Sequence, residues 1–301
     1  MGTSKRIHQM TVSQWEAAFP DDVACMAYLA KNRWPCEVSC PRCGSVQVRE
    51  MTTMAFKWQC YGCDPSGYRF SVLVGTVFEN TNVGLRVWFR VIHRMLVSKK
   101  SVSAHQIYRE MGFGSYRTAW YMCHRIRAGL ANEDFRKLMG IVEVDETFIG
   151  GKAKNRHKDK RFDGKRGTGG AGKAIVVGAV ERKGNVVARV ISNVRATTLE
   201  KFVRETVSDK VSLICTDKWV GYKHLKRDFP HAAIDHAIGQ YVCGAVHTQT
   251  IEGFWSIFKR DVVGTFHKVS AKYLPLYVAE FQFRYNNRSN PDIFGEAIRG
   301  C

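Results

Sequence analysis

One stretch constrains the fold of this chain more than any other, the segment from Ile141 to Gly150 that reads Ile-Val-Glu-Val-Asp-Glu-Thr-Phe-Ile-Gly. Its apolar, β-branched first half predicts a strand of a half-buried sheet, where carboxylates are unusual. Because side chains alternate along a strand, Asp145 shares one face with Glu143, and Glu146 lies on the other. We take Asp145 as the functional acid, since a carboxylate on a rigid strand suits metal-dependent phosphoryl transfer. The alternative is an edge strand with solvated acids.

The charge of the chain predicts a polyanionic partner. Its 301 residues include 46 Lys and Arg against 27 Asp and Glu, which gives a formal net charge of +19. Nucleic acid is the first candidate for such an excess, and an anionic membrane surface is the weaker one. No apolar run approaches the roughly 20 residues of a membrane span, and from the polar, basic start of the sequence we expect no signal peptide. The cysteines are therefore expected in a reducing compartment.

A pair of Cys-x-x-Cys motifs is the strongest local signal. The motifs are Cys40 with Cys43 and Cys60 with Cys63. Their spacing predicts a zinc ribbon in which four thiolates surround one structural Zn²⁺ and leave no position for water. Cys36 is a fifth nearby thiol that could replace Cys40, although its spacing to Cys43 is poorer. Coincidental buried cysteines are the alternative, and a ribbon by itself does not distinguish nucleic acid from protein as its ligand.

Residues 101–130 have the pattern of a helix-turn-helix. Ser103 and Ser115 are placed to cap the two helices, and Gly112 begins the turn between them. The second helix is expected to bury Tyr116, Ala119, Trp120, Cys123, Ile126 and Leu130. It would leave outside the basic residues Arg117, His124, Arg125 and Arg127. Arginines on such a helix suit a DNA groove, whereas the alternative is an ordinary helical hairpin with solvated basic residues.

Residues 151–173 are rich in glycine and carry nine basic residues against two acidic ones. No core can form from this composition, so we expect a mobile basic loop whose ligand is a phosphate backbone. Its candidate DNA-binding residues are Lys152, Lys154, Arg156, Lys158, Lys160 and Arg161.

Two later stretches supply further acids. Residues 211–217 read as a buried strand that ends on Asp217. Residues 247–260 read as a helix whose buried stripe is Ile251, Phe254, Trp255 and Phe258, at i, i+3, i+4 and i+7. Glu252 lies at the edge of that stripe with Lys259 aligned beyond it, although a solvated Glu–Lys face is the plainer interpretation.

A sheet in which the strand within residues 141–150 lies beside the strand of residues 211–217 would bring Asp145 and Asp217 together. A helix laid on the sheet would then add Glu252. Three carboxylates in this arrangement can hold two divalent ions for an in-line displacement at phosphorus. Hard oxygen ligands favour Mg²⁺ or Mn²⁺ over Zn²⁺.

The order of these features resembles that of the DDE transposases of bacterial insertion sequences with an N-terminal zinc ribbon, the ISXO-like group. The resemblance runs from about residue 15 to about residue 290, and its most specific part is His-Thr-x-Thr-Ile-Glu-x-Phe-Trp-Ser-x-x-Lys-Arg around Glu252. It implies an α/β catalytic core, an RNase H-like mixed sheet flanked by helices, behind a zinc ribbon and a helix-turn-helix. It further implies magnesium-dependent hydrolysis at the transposon ends, which frees a 3′-hydroxyl that attacks target DNA.

The resemblance also assigns roles to single residues. Asp145, Asp217 and Glu252 match the acidic triad, and Lys259 matches the basic residue that follows it. Relatives commonly carry Asn where this chain has Gln249, which is a second candidate within the same helix. We favour Glu252 as the third ligand because a carboxylate binds a hard cation more strongly than an amide does.

Four consecutive segments follow from these patterns: a helical lead-in (1–33), the ribbon (34–80), the helix-turn-helix region (81–135) and the catalytic domain (136–301). The expected partners are double-stranded DNA, both terminal repeats and target, and further copies of the chain on paired ends. The resemblance implies action on the nucleoid in the bacterial cytoplasm, with no membrane partner.

Other functions stay open at this point. A DNA-binding regulator would use the ribbon and the helix-turn-helix without cutting, and would leave the acids without a role. An RNase H-like nuclease or resolvase would use the same metals without a joining step. A zinc-ribbon partner of another protein is disfavoured by the charge of +19.

Overall fold

The structure is a computed structural model that describes residues 6–63, 66–98, 100–131, 136–151, 172–234, 242 and 246–301. This chain forms two compact units in the described residues. Unit 1 comprises Met1–Ala131 and Ser289–Cys301, and unit 2 comprises Asn132–Arg288. The six candidate DNA-binding residues from Lys152 to Arg161 lie outside the described residues, so their role stays a prediction.

The helices are α1 (Val12–Ala18), α2 (Asp22–Arg33), α3 (Leu85–Val97), α4 (Ala104–Met111), α5 (Tyr116–Gly129), α6 (Ala196–Thr206), α7 (Gln249–Gly264), α8 (Leu274–Asn286) and α9 (Ile293–Gly300). The strands are β1 (Val48–Glu50), β2 (Lys57–Cys60), β3 (Tyr68–Ser71), β4 (Ile141–Ile149), β5 (Ala174–Glu181), β6 (Val186–Ile191), β7 (Leu213–Asp217) and β8 (His231–Ile234). Elements up to α5 belong to unit 1, those from β4 to α8 belong to unit 2, and α9 belongs to unit 1. In the described part of the chain, no helix has the length and apolar character needed to cross a membrane.

Aromatic side chains from distant parts of the sequence form the core of unit 1. The Phe294 ring of α9 lies 5.6 Å from that of Phe89 in α3 and 5.9 Å from that of Phe19. The backbone N–H of Val77 donates to the carbonyl of Cys301 at 2.6 Å. The sequence pattern predicts that the catalytic domain extends to residue 301. In the structure α9 belongs to unit 1, because these aromatic contacts bury it there.

Helices α4 and α5, joined by a turn, lie where the sequence predicts the two helices of a helix-turn-helix. The Ser103 hydroxyl accepts a hydrogen bond from the Gln106 N–H at 3.1 Å. The Ser115 hydroxyl accepts one from the Arg117 N–H at 3.2 Å. Gly112 ends α4 with a left-handed φ of 66°, a conformation that glycine adopts without a Cβ penalty. Both caps and the turn therefore follow from local chemistry, as the sequence predicts.

The buried face of α5 is wider than the expected one. Ala119, Cys123, Ile126 and Leu130 are buried as predicted, and Met122 is buried with them. Tyr116, expected in the core, is 45% exposed, and Tyr121 is 59% exposed. Arg127 and His124, expected outside, are only 1% and 7% exposed. The prediction that Arg127 and His124 face solvent is therefore wrong, because the buried surface of α5 extends round the helix to include both.

Strand β4 is the central strand of a mixed sheet in unit 2. The strand order is β6-β5-β4-β7-β8. Strand β4 pairs antiparallel with β5 and parallel with β7. Helix α6 packs over Val142 and Val144 on one face, whereas α7 and α8 cover the other. The predicted mixed sheet flanked by helices is confirmed, and so is the pairing of the strands that carry Asp145 and Asp217.

A close approach between α7 and β5 fixes the helix next to Asp145. The predicted stripe of Ile251, Phe254, Trp255 and Phe258 is buried, with exposures of 0–4%. Beneath it, Gly178 of β5 is the residue paired with Asp145 of β4. A Cβ added at Gly178 would lie 2.7 Å from Cζ2 of Trp255 and 3.1 Å from Cδ1 of Ile251. The absence of a side chain at Gly178 therefore lets α7 lie directly on the sheet.

We predict that Gly178→Ala destabilises unit 2 by about 1–3 kcal/mol, the usual cost of overpacking, because the added methyl group pushes against the Trp255 ring. Denaturant unfolding followed by tryptophan fluorescence measures this change. Gly253→Ala is the matched control, since Gly253 lies on α7 with nothing within 4 Å of its added Cβ. That control should be neutral or stabilising, by up to about 1 kcal/mol. Equal stability of Gly178→Ala and wild type would contradict the close approach.

Candidate active site and metal centre

Strand β4 places its two neighbouring acids on opposite faces of the sheet. The carboxylate of Glu146 accepts a hydrogen bond from the Tyr222 hydroxyl at 2.6 Å, and Tyr222 belongs to the core beneath α6. Asp145 lies on the other face, the one that α7 covers, together with Glu143. Glu146 is therefore engaged by the fold, and Asp145 is the acid of this pair that faces α7.

The parallel pairing of β4 with β7 brings the second acid beside the first. Its register matches Val142 with Ile214 and Glu143 with Cys215. This pairing ends at Glu143 and Cys215, and Asp145 and Asp217 each follow two residues later on their strands. Asp217 ends β7, and one of its oxygens accepts a hydrogen bond from the Trp219 N–H at 3.1 Å.

The third acid comes from the first turn of α7. Glu252 is exposed, and one of its carboxylate oxygens accepts a hydrogen bond from the Thr248 hydroxyl at 2.7 Å. Lys259 is exposed two turns further along the same helix. Gln249, the other candidate, is the exposed first residue of α7. The helix thus presents Glu252 and Lys259 on one solvent-facing side.

The charges of neighbouring acids act on the carboxyl group of Asp145. Burial raises the pKa of Asp145 to about 7, and the negative charges of Glu146, Asp217 and Glu252 raise it as well. Burial also raises the pKa of Glu146, while its hydrogen bond from Tyr222 opposes that rise. Carboxylates that repel one another in this way are the oxygen ligands that a hard divalent cation binds. The donor set around Asp145 therefore fits Mg²⁺ or Mn²⁺.

The acids are not packed as tightly as the cysteines. Among the residues that the structure describes, Cys40, Cys43, Cys60 and Cys63 are the group of metal-ligating side chains whose ligand atoms all lie within 4.8 Å of one another. Asp145, Asp217 and Glu252 form no group that close. Two-metal sites hold their ions about 3.5–4 Å apart, so their carboxylates span more space than the ligands of one ion.

The cysteine group fits a tetrahedral zinc site. The sulfur atoms of Cys40 and Cys63 are 3.5 Å apart, those of Cys43 and Cys60 are 3.7 Å apart, and those of Cys60 and Cys63 are 3.8 Å apart. Four sulfurs at about 2.3 Å from one Zn²⁺ would be separated by about 3.8 Å. Gly44 follows the first motif with a positive φ of 74°, as the tight turn there requires. Cys36 is exposed and not part of this group, so the predicted four ligands stand.

The predicted DNA-binding arginines of α5 have different surroundings. Arg117 is exposed at the start of the helix. Arg125 is half-buried, donates to the carbonyl of Glu79 at 2.8 Å and lies 5.4 Å from the Trp88 ring centre. Arg127 is buried and has no surface to offer to DNA. The structure therefore leaves Arg117 as the arginine of this set that is open to a ligand.

Sequence reasoning assigned no role to Glu143, whose side chain is fully buried. One of its carboxylate oxygens accepts a hydrogen bond from Arg182 Nε at 2.7 Å, and the other accepts one from the Thr250 N–H at 2.7 Å. The only signal in the sequence is an acid at an otherwise apolar strand position. Its partners lie far away in the sequence, so the pattern could not identify them.

Comparison with known proteins identifies a transposase domain and a zinc ribbon in this chain. The ISXO2-like transposase domain matches residues 137–286, and the transposase zinc-ribbon domain matches residues 20–65. An uncharacterized protein in transposable element ISH50 of Halobacterium salinarum is 30% identical over 269 residues, which cover 85% of this chain and 88% of that relative. No solved structure matches the chain significantly. The two matched domains and this relative place the chain in the ISXO2-like transposase family.

Proposed function

We propose that this protein is the active transposase of an insertion sequence. It binds the terminal inverted repeats of the element, hydrolyses a phosphodiester bond at each end to free a 3′-hydroxyl, and joins that hydroxyl to target DNA. The observation that carries the proposal is the placement of the three acids, with Asp145 and Asp217 on two adjacent parallel strands and Glu252 in the first turn of the helix that covers Asp145. Membership of the ISXO2-like family supports the same chemistry.

Each residue of the site has a separate task in this proposal. Asp145 and Asp217 on the rigid sheet and Glu252 on α7 would hold two Mg²⁺ or Mn²⁺ ions. The chemistry supplied by ions held there would be activation of the attacking oxygen and stabilisation of the leaving oxygen in an in-line displacement. Lys259, exposed on the same side of α7 as Glu252, is placed to bind a phosphate of the DNA backbone.

The remaining positive charge serves to hold the substrate. A net charge of +19 favours DNA through its phosphates and makes binding strongly dependent on salt. Arg117 at the exposed start of α5 is the described candidate for a contact in a groove. The basic residues from Lys152 to Arg161 would add backbone contacts, and several copies of the chain would act together on paired ends.

We expect Asp145→Asn and Asp217→Asn to lower the rate of Mg²⁺-dependent cleavage at a terminal-repeat duplex by roughly two orders of magnitude or more, because a lost metal ligand removes several kcal/mol of transition-state stabilisation. DNA affinity should persist in both variants. Asp228→Asn is the matched control, since Asp228 pairs with Arg204 on the surface of unit 2 away from α7. Wild-type cleavage by either site variant would refute the triad.

A strand-transfer assay with the same duplex and a target plasmid separates the alternatives. The proposal predicts joined product that requires a free 3′-hydroxyl at the transposon end. Cleavage without joining would indicate a nuclease or resolvase, and binding without cleavage would indicate a regulator.

For the ribbon, we expect one Zn²⁺ for each chain, measured by elemental analysis of the purified protein. Cys60→Ser should lose the metal, because three remaining thiolates no longer close the tetrahedron. Cys36→Ser is the matched control and should keep it, since Cys36 lies outside the cysteine group. Removal of zinc should increase amide hydrogen exchange in β1–β3 and leave the sheet of unit 2 protected. Protected ribbon amides after complete zinc removal would contradict the site.

A further inference from the structure

A buried carboxylate joins the central strand of unit 2 to the start of α7. Glu143 accepts hydrogen bonds from the Thr250 N–H at 2.7 Å and the Ile251 N–H at 3.0 Å through the same oxygen. Its other oxygen accepts from the Thr250 hydroxyl at 2.9 Å. An anion at a helix N-terminus satisfies amides that have no partner within the helix and interacts favourably with the helix dipole. Glu143 therefore caps α7 from the neighbouring sheet.

The cap residue within the helix itself is engaged elsewhere. Thr248 is the N-cap of α7, yet its side chain accepts no hydrogen bond from the helix amides. Its hydroxyl is 2.7 Å from Glu252 and donates to that carboxylate. Because Glu143 satisfies the amides, the hydroxyl of Thr248 is available to orient Glu252. Glu143 therefore caps the helix, and Thr248 holds the carboxylate of Glu252.

Arg182 also connects β4 to the segment that enters α7. Its Nε donates to Glu143 at 2.7 Å, and its terminal nitrogen donates to the carbonyl of His247 at 3.0 Å. The backbone N–H of Arg182 donates to the carbonyl of Ile141 in β4. Nδ1 of His247 lies 3.2 Å from Glu143 without an aligned hydrogen bond. The segment that enters α7 is therefore held to β4 through both Glu143 and Arg182.

The positions of these contacts connect two of the acids. Glu143 precedes Asp145 by two positions on the same face of β4, and Ile251 immediately precedes Glu252. We propose that Glu143 is a positioning residue that sets the separation of Asp145 and Glu252 by fixing the first turn of α7 to β4. This inference rests on the proposed function, in which both acids are metal ligands. Groups behind the ligands of a metal commonly change its affinity by roughly 10- to 100-fold when they are altered.

The test uses the full-length protein and Mn²⁺ as the probe, bound in the absence of DNA and followed by electron paramagnetic resonance. Glu143→Gln keeps the shape of the side chain and loses its charge and one acceptor. We expect the Kd for Mn²⁺ to rise by roughly 10- to 100-fold and the amides of Thr250 and Ile251 to exchange faster. DNA affinity should remain unchanged. Glu205→Gln, which breaks the surface pair with Arg189 in the same unit, should leave all of these quantities unchanged.

A second variant covers the case in which Glu143→Gln fails to fold. Thr250→Val removes only the hydroxyl bond to Glu143 and keeps the backbone N–H, so we expect a smaller weakening of Mn²⁺ binding in the same direction. Wild-type Mn²⁺ affinity in whichever of these variants folds, even with faster amide exchange, would reduce Glu143 to a structural role and overturn the inference. Asp145→Asn separates this failure from that of the proposed function: normal Mn²⁺ affinity in that variant would refute the metal site itself.

Discussion

The parallel pairing of β4 with β7 is the contact on which the rest of the proposed site depends. Parallel strands cannot be joined by a tight turn, and β5, β6 and α6 provide the crossover between them. The core beneath α6 holds Val142 and Val144, so a shift of one residue would turn these valines towards α7 and Asp145 towards the apolar core beneath α6. Hydrophobic burial on one face therefore fixes the position of Asp145 on the other.

Helix α7 is held on that second face by two different interactions. Its apolar stripe lies directly on the sheet, where Gly178 leaves room for the Trp255 ring. Its first turn is bound by Glu143, whose burial would be costly without the several donors around it. Packing sets the distance of the helix from the sheet, and the carboxylate sets its position along the strand. Together they determine where Glu252 can lie relative to Asp145.

The two parts of unit 1, the ribbon and the helices, are stabilised in different ways. Its strands β1–β3 are three or four residues long and could not be stable as an isolated sheet. The four cysteines are placed to hold one metal ion, and binding of such an ion would contribute directly to the folding of this small sheet. The helical part of the unit instead uses a conventional aromatic core, which includes the last helix of the chain. A zinc ribbon in this unit agrees with the transposase zinc-ribbon domain that matches residues 20–65.

The sequence by itself determined the features that depend on neighbouring residues: the cysteine spacing, the serine caps of α4 and α5, the buried stripe of α7 and the acid on each strand. It also marked Asp145 as distinct from Glu146, because alternation along a strand is local geometry. Only the tertiary structure decided that Arg127 is buried, that α9 packs in unit 1 and that Glu143 binds the start of α7. Each of these depends on partners that are distant in sequence, since the surroundings of a side chain are set by whichever elements pack against it.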